Sequence, residues 1–565
     1  MVPSGQSPVD AEKDLGSHDG HNPVDSSSLE NKLGQQKENG MESPANQDTI
    51  EYLTGLRLAL VISTILLSTV LAALEIGIIA TAIPGITDDF HKLDDVGWYG
   101  SSTFLLFGAS APMWGKMYKY LSVKYTYIGS MAVYLIASIV GGAAPNSVSV
   151  IVSRALQGLG AAGTLGGSVL VINYISKPSQ RPILIGAWMG TFMVSTILGP
   201  VIGGAFTSGV SWRWCFWINL PLGGPILVLL WFFLNVPKHI KPAPATWKEI
   251  ILQMDFPGFS VVLAALVCLT LSLQWGGLTK PWDDGSVIAT LVLFVVLILV
   301  FVVVEWFQGP RAMVPLALLR PRTTWANALY CYISNCPFYQ IMFYWPIYFQ
   351  SIHGFSAVKS GVCTLPFLAF FSLGAVVSGG LIGKTRYLQP YQLTSTLLMT
   401  AGMALFYTMD VNTSSARYFG PQILFGFGLG LGNQIPMTAV QGFSKPEDVA
   451  NSTGIMLMCQ SMSGATFLVV AQSIFSNRLL ESLRHSTADI DPLEVINTGA
   501  SEIGDIFTGQ ELEAVIRSYM DGLKDVYLFG LAGSAAAVLL SLVIPFKRLP
   551  DADSKKAEEK ERHQA

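Results

Sequence analysis

An acid and a base stand inside long apolar runs of this sequence, Glu75 within residues 58–83 and Arg154 within residues 148–175. A lone charge near the middle of a membrane-spanning helix costs about 2.5–3.5 kcal/mol on insertion scales, so each needs a partner or a water-filled cavity. Two chemistries fit. Either the two form a structural ion pair, or Glu75 takes up and releases a proton as it meets two aqueous faces in turn, with Arg154 competing for its carboxylate.

Glycine and proline make a second constellation. Gly186, Gly190, Gly199-Pro200 and Gly203-Gly204 fall within nineteen residues of one apolar run. Absent side chains let helix backbones approach, and the missing proline N–H frees a carbonyl, so this stripe predicts a close contact able to bend. Tight packing without motion is the plainer alternative. Gly426, Gly428, Gly430 and Gly432 repeat the pattern ahead of Asn433, Gln434 and Pro436. Tyr332, Asn335, Tyr339 and Phe343 recur at helical spacing on one face and, with Gln157, are candidates for the wall of a substrate cavity. A lipid-facing or interfacial aromatic belt is the other reading of that stripe.

Other patterns lead nowhere. Gly158-Leu159-Gly160-Ala161-Ala162-Gly163 spells a dinucleotide-binding string, but it sits inside an apolar helix without the strand and exposed helix start that pyrophosphate needs. Gly383-Lys384-Thr385 resembles the end of a phosphate loop, yet that loop's first glycine would fall on Ser378, within a span. No HExxH or GxSxG string occurs. The six cysteines lie in apolar runs with no metal-ligand spacing and read as small core residues. Neither an enzyme, a metal site nor a cofactor is expected.

The elements that carry these residues belong to a membrane. Charged residues make up 13% of 565 where a soluble protein carries about 25%, hydrophobic residues reach 51%, and mean hydropathy is +0.47. Of the net charge of −4, the first fifty residues contribute −6, nine acids against three bases, which leaves +2 elsewhere and no basic face for nucleic acid. That segment has no apolar stretch for a secretory leader and reads as a disordered tail.

A bilayer core of about 30 Å needs roughly 20 apolar residues per helix. Runs of that length fall at 58–83, 96–114, 126–144, 148–175, 183–206 and 214–236, then at 256–275 and 287–306, then at 325–348, 362–382, 393–409, 419–440, 452–474 and 526–544. The expected fold is all-α, with fourteen spans arranged as six plus two plus six. Its expected parts are a tail at 1–52, a six-helix bundle at 53–236, two linking helices with their loops at 237–324, a second six-helix bundle at 325–546 with an outer loop at 476–525, and a tail at 547–565. Gly115-Lys116 and Gly383-Lys384 close the second span of each block, which favours a duplicated unit. With both tails inside, the inner loops hold fourteen Lys and Arg and the short outer loops five (Lys92, Arg213, Lys280, Lys359 and Arg417), so both termini are expected in the cytoplasm. Asn412-Thr413-Ser414 is then a glycosylation sequon on an outer loop.

Leu74-Glu75, Ile79-Ala80-Thr81-Ala82-Ile83-Pro84, Gly115-Lys116-Met117-Tyr118, the run Arg154 to Gly160, Gly199-Pro200-Val201-Ile202-Gly203-Gly204 and the run Ser211 to Pro221 together resemble the fourteen-span drug:proton antiporters of the major facilitator superfamily, nearest their fungal toxin and multidrug efflux branch. The likeness runs from Tyr52 to Leu549. It implies two six-helix bundles plus two extra helices, alternating access, and export of a small amphipathic molecule driven by protons, by a multi-pass protein of the cell or vacuolar membrane that works as a monomer. By position it assigns proton coupling to Glu75 and Arg154 and the antiporter motif to Gly199, Pro200, Gly203 and Gly204. Three residues depart from the pattern: Glu75 stands for the usual Asp, Lys119 for an acid of the second-to-third loop, and Ser195 for a motif glycine. An importer of iron chelates or basic amino acids on the same fold, and a membrane receptor, are the competing functions; an importer of cations calls for several acids at cavity depth, and only Glu75 clearly qualifies.

Overall fold

The computed structural model describes residues 53–90, 95–177, 180–237, 240, 242–486, 490, 495 and 503–549. The expected tails, except 547–549, lie outside the described residues, as do Lys92, Lys238 and Lys241 of the charge argument. All fourteen expected spans are helical. They are α1 (Gly55–Phe90), α2 (Val96–Tyr120), α3 (Val123–Gly142), α4 (Ser147–Ile175), α5 (Arg181–Gly209), α6 (Asn219–Phe233), α7 (Phe256–Trp275) and α8 (Gly285–Gln308). The second block is α9 (Arg322–Ile347), α10 (Ala357–Thr385), α11 (Gln389–Tyr407), α12 (Phe419–Gly432), α13 (Val449–Arg484) and α14 (Gly509–Val543).

Among the described residues eleven helical segments are long and apolar enough to cross a membrane. The other three, α2, α9 and α11, are 25, 26 and 19 residues long but more polar. Their polar side chains turn inward. Lys116, Asn327, Asn335, Gln340 and Gln392 are all buried, whereas α8 shows Val292, Leu299, Val302 and Phe307 to its surroundings as a lipid-facing helix must.

Two elements differ from the expected spans. The twelfth run, expected as one helix over 419–440, turns at Asn433 and Gln434 and resumes as Ile435–Phe443. Pro436 brings no N–H to the ladder there, and the Asn433 side chain can compete with the backbone for hydrogen bonds, which favours a turn. At the other end of the bundle, the stretch expected as an outer loop is partly helical. α13 runs on to Arg484 and α14 begins at Gly509, and Arg478 joins the two through Asp525 at 3.4 Å.

Packing shows a duplication. In the first block α1 packs on α5 and α6, α2 on α4, and α3 on α4 and α6; in the second, α9 packs on α13 and α14, α10 on α12, and α11 on α12 and α14. Each pair maps to its counterpart eight spans later. The blocks meet where α2 packs on α13 and α5 on α10, contacts that the same shift exchanges. α7 and α8 pair with each other, and α7 leans on α2 and α13.

Candidate functional site

Glu75 and Arg154 meet. Nη1 of Arg154 donates to Glu75 Oε1 at 2.5 Å and to the Glu75 carbonyl at 3.2 Å, while its Nε donates to the Tyr99 carbonyl at 2.9 Å. The side chains are 1% and 2% exposed, so almost no water shares the pair. Removing one member of such a pair costs about 3–5 kcal/mol, because the survivor is left charged in a dry site.

A neutral network orients the carboxylate from its other side. Asn219 Nδ2 donates to Glu75 Oε2 at 3.1 Å and to Ser138 Oγ at 3.1 Å, and Gln157 Nε2 donates to the same Ser138 Oγ at 3.1 Å. Ser138 spends its own proton on the Tyr134 carbonyl. Its oxygen can therefore only accept from the two amides, which fixes the amide of Gln157 with Oε1 free and without a partner. Asn219 stands in the Ser211 to Pro221 motif but was not singled out by sequence; the signal was present, an amide inside an apolar run, and its partners were not.

Glu75 and Gln157 line a cavity with roughly 750 Å³ of empty space, its open mouth included. Phe104, Phe107, Trp188, Phe192, Phe338 and Tyr339 form its apolar wall, and Gln460 and Ser461 of α13 add neutral polar groups. Trp188 Nε1, like Gln157 Oε1, is buried without a partner. Both blocks contribute, from α1 to α5 on one side and from α9 and α13 on the other.

Of the aromatic stripe on α9, Tyr339 reaches this wall, and Phe343 packs edge-on against Phe104 at a ring distance of 6.3 Å. Tyr332 and Asn335 are placed elsewhere. Tyr332 bonds to Thr466 at 2.8 Å and lies 5.0 Å from the Phe467 ring, and Asn335 Nδ2 donates back to the Cys331 carbonyl at 2.7 Å. Asn412 is exposed in the turn after α11.

The glycine stripe presses α5 onto the helix that carries Glu75. A Cβ at Gly199 would stand 2.7 Å from the Gly77 Cα, and one at Gly203 would stand 2.6 Å from the Ile78 carbonyl oxygen. A Cβ at Gly204 would meet nothing within 4 Å, and those at Gly186 and Gly190 would only touch Val376 and Ser372 of α10. The dinucleotide-like string of α4 is likewise packing: a Cβ at Gly160 would lie 2.5 Å from the Tyr134 nitrogen.

At the end where α2 terminates, the two blocks are pinned together. Lys119 Nζ meets Asp448 Oδ1 at 2.8 Å, and Asn173 Nδ2 donates to Gln441 Oε1 at 3.0 Å. A Cβ at Gly115 would stand 2.8 Å from the Ala450 carbonyl oxygen. Lys119, which departs from the family's acid, has its counter-charge on the facing block.

The comparisons with known proteins agree with this geometry. The model of the Major Facilitator Superfamily matches residues 65–468. A dehydrocurvularin exporter of Alternaria cinerariae is 62% identical over 95% of this chain and 92% of its own length. A dehydrocurvularin exporter of Aspergillus terreus is 64% identical over 91% of this chain and 90% of its own. Among solved structures, the proton:xylose symporter XylE superposes with a TM-score of 0.56 over 87% of this chain and 97% of that one, at 11% identity, a likeness of fold. With two six-helix blocks that repeat each other around a shared cavity among the described residues, this chain is a multi-pass membrane protein and belongs to the Major Facilitator Superfamily of transporters.

Proposed function

We propose that the chain exports a neutral, aromatic secondary metabolite, dehydrocurvularin or a molecule of its kind, in exchange for protons. The observation that carries this reading is the Glu75–Arg154 pair bordering an otherwise uncharged, aromatic-walled cavity. A cationic substrate would need a free acid, and the acid in this cavity is already engaged. The unpartnered Gln157 Oε1 suits a substrate hydroxyl, and the unpartnered Trp188 Nε1 suits a carbonyl. The direction of transport is supported by the exporter names of relatives that match nearly the whole chain.

The proton step follows from competition. Arg154 and a proton contend for the same Glu75 oxygen, so protonation releases Arg154 to its carbonyl partners on Tyr99 and Glu75 and alters how α4 is tied to α1 and α2. α5 packs on α1 through bare backbone at Gly199 and Gly203, so a shift of α1 is passed on to α5 and, through α5, to α10 of the other block. Lys119 and Asp448 tie the two blocks together at the end that the charge bias assigns to the cytoplasm.

The test is transport by the purified protein in liposomes, with dehydrocurvularin on both sides and a pH difference imposed. The expected result is movement of dehydrocurvularin against its gradient, in the direction opposite to proton flow and abolished by a protonophore. Movement that ignores the pH difference would refute proton exchange, and no movement at all would refute the substrate.

A further inference from the structure

Two further acids are buried, far from the cavity in sequence. Asp255 is 1% exposed at the start of α7, and Glu305 is 5% exposed in the last turn of α8. Asp255 holds a left-handed backbone, φ 48°, which a branched residue would resist; its Oδ1 accepts from the Gly258 N–H at 3.0 Å and its Oδ2 from the Met313 N–H at 2.7 Å. Glu305 Oε2 accepts from the Val314 N–H at 2.7 Å.

Its other oxygen, Oε1, has no donor. A Cβ built on Gly258 would lie 2.8 Å from Glu305 Oε1 and 2.6 Å from Asp255 Oδ2, so the two carboxyls border one point. Ionised carboxylates are acceptors only, and two of them cannot bond without a proton between them. The orphaned oxygen is satisfied when one carboxyl is protonated and donates to the other.

The cation beside them is Lys116, 1% exposed near the end of α2. Its Nζ donates to the carbonyls of Gln253 at 2.6 Å, Arg311 at 2.7 Å and Ala312 at 2.5 Å, all in the segments that flank the α7–α8 pair. Lys119 is the next charge along α2 and is committed to Asp448; Arg311 is committed to Glu249 at 2.7 Å on the exposed side. One shared proton on the acids leaves a single negative charge to face Lys116, so the buried group is neutral. Loss of that proton to water would leave two carboxylates in contact around one cation.

We propose that Asp255 and Glu305 bind one proton between them, forming with Lys116 a second proton site separate from Glu75, whose occupancy holds the α7–α8 pair against α2. The extra pair of helices is thereby fastened to the helix that also bears Lys119, the residue pinning the two blocks. This site stands whether or not Glu75 couples transport.

The experiment uses the full chain in nanodiscs. Infrared spectra of the wild type around neutral pH should contain the carbonyl-stretch band of a protonated carboxyl that disappears at high pH. Glu305→Gln and Asp255→Asn should each remove that band, and Glu75→Gln should leave it. A wild type without the band, or a band that survives in both variants, overturns the proposal. A second measurement follows the latch itself: a cysteine at Met313, which is 2% exposed, should become reactive to a thiol reagent as pH rises through loss of the band. Adding Glu305→Gln should flatten that rise, because Gln cannot release a proton; an equal rise in both would overturn the latch. Should Glu305→Gln fail to fold, Asp255→Asn serves in its place, since Asn tolerates the left-handed backbone and keeps one acceptor.

Discussion

Glu75 has three polar neighbours of unequal strength, and the inequality decides what its substitution does. Arg154 is a charged donor at 2.5 Å, Asn219 a neutral one at 3.1 Å, and Tyr134 a marginal one at 3.5 Å. Gln at this position keeps an acceptor for Arg154 but loses the charge, the proton and the second acceptor, so that its NH2 faces the Asn219 amide. Glu75→Gln is therefore expected to insert and to bind substrate, at a stability cost of about 3–5 kcal/mol for the unneutralised Arg154, while losing all uphill transport driven by a pH difference. Downhill exchange should persist. Parallel liposome assays with and without the pH difference decide it: a Gln variant that still concentrates substrate would make Glu75 a structural acid. Gln157 offers a milder probe of the same cavity. Its free Oε1 is held in place by Ser138, so Gln157→Leu should weaken binding of a hydroxylated substrate about twofold to twelvefold, the loss of one hydrogen bond of about 0.5–1.5 kcal/mol, in a tryptophan-quenching titration that reports on Trp188; unaltered affinity would place the hydroxyl elsewhere.

At the scale of an element, the contact between α1 and α5 depends on missing side chains. Gly199 and Gly203 face the α1 backbone at Gly77 and Ile78, whereas Gly204 faces open space, so the motif glycines are unequal in what they do. Gly203→Val would drive a branched side chain into the Ile78 carbonyl and into Thr81, and should stop transport with a stability loss of about 1–3 kcal/mol from overpacking. Gly204→Ala meets nothing and should transport normally. Transport rate normalised to the amount of folded protein separates the two; equal activity in both would mean that the stripe is neither close nor mobile during the cycle. The same reasoning explains Ser195, where a glycine is usual. Its hydroxyl donates back to the Thr191 carbonyl at 2.7 Å, which keeps the extra atoms on its own helix.

Across the whole molecule, the two blocks are joined by α2 against α13 and α5 against α10, and an ion pair sits at one end of the first seam. Lys119 and Asp448 are 16% and 20% exposed, so the pair is worth about 1 kcal/mol, enough to shift a two-state population about fivefold. Lys119→Asp should set two acids against each other and favour the state open at that end. The double change Lys119→Asp with Asp448→Lys should restore the wild-type balance. Reactivity of a cysteine placed at Ala450, which is 3% exposed and faces Gly115 across the seam, measures it: higher in the single variant and back to wild type in the double one. No rise in the single variant would show that the seam is held by backbone packing alone.

The sequence by itself determined where the long apolar spans lie and the class of protein, because a bilayer demands runs of about 20 apolar residues and leaves few other ways to bury them. It also marked Glu75 and Arg154, since a charge in such a run is conspicuous before any partner is known. It could not say that the two meet, nor that Asn219, in a motif quoted for its family likeness, would hold the other carboxylate oxygen. Helical spacing placed Tyr332 and Asn335 on a face with Tyr339, but a helix in a bundle is shared among several neighbours, and the packing of α9 on α13 and α14 decided that Tyr339 reaches the cavity while Tyr332 turns to Thr466. Asp255 and Glu305, which the sequence did not single out, are buried because the ends of two helices fold over Lys116, which lies 137 or more residues earlier in the chain. Periodicity and hydropathy are properties of a local stretch. Contacts between charges hundreds of residues apart, such as Lys119 with Asp448, belong to the tertiary structure, and it alone decided them.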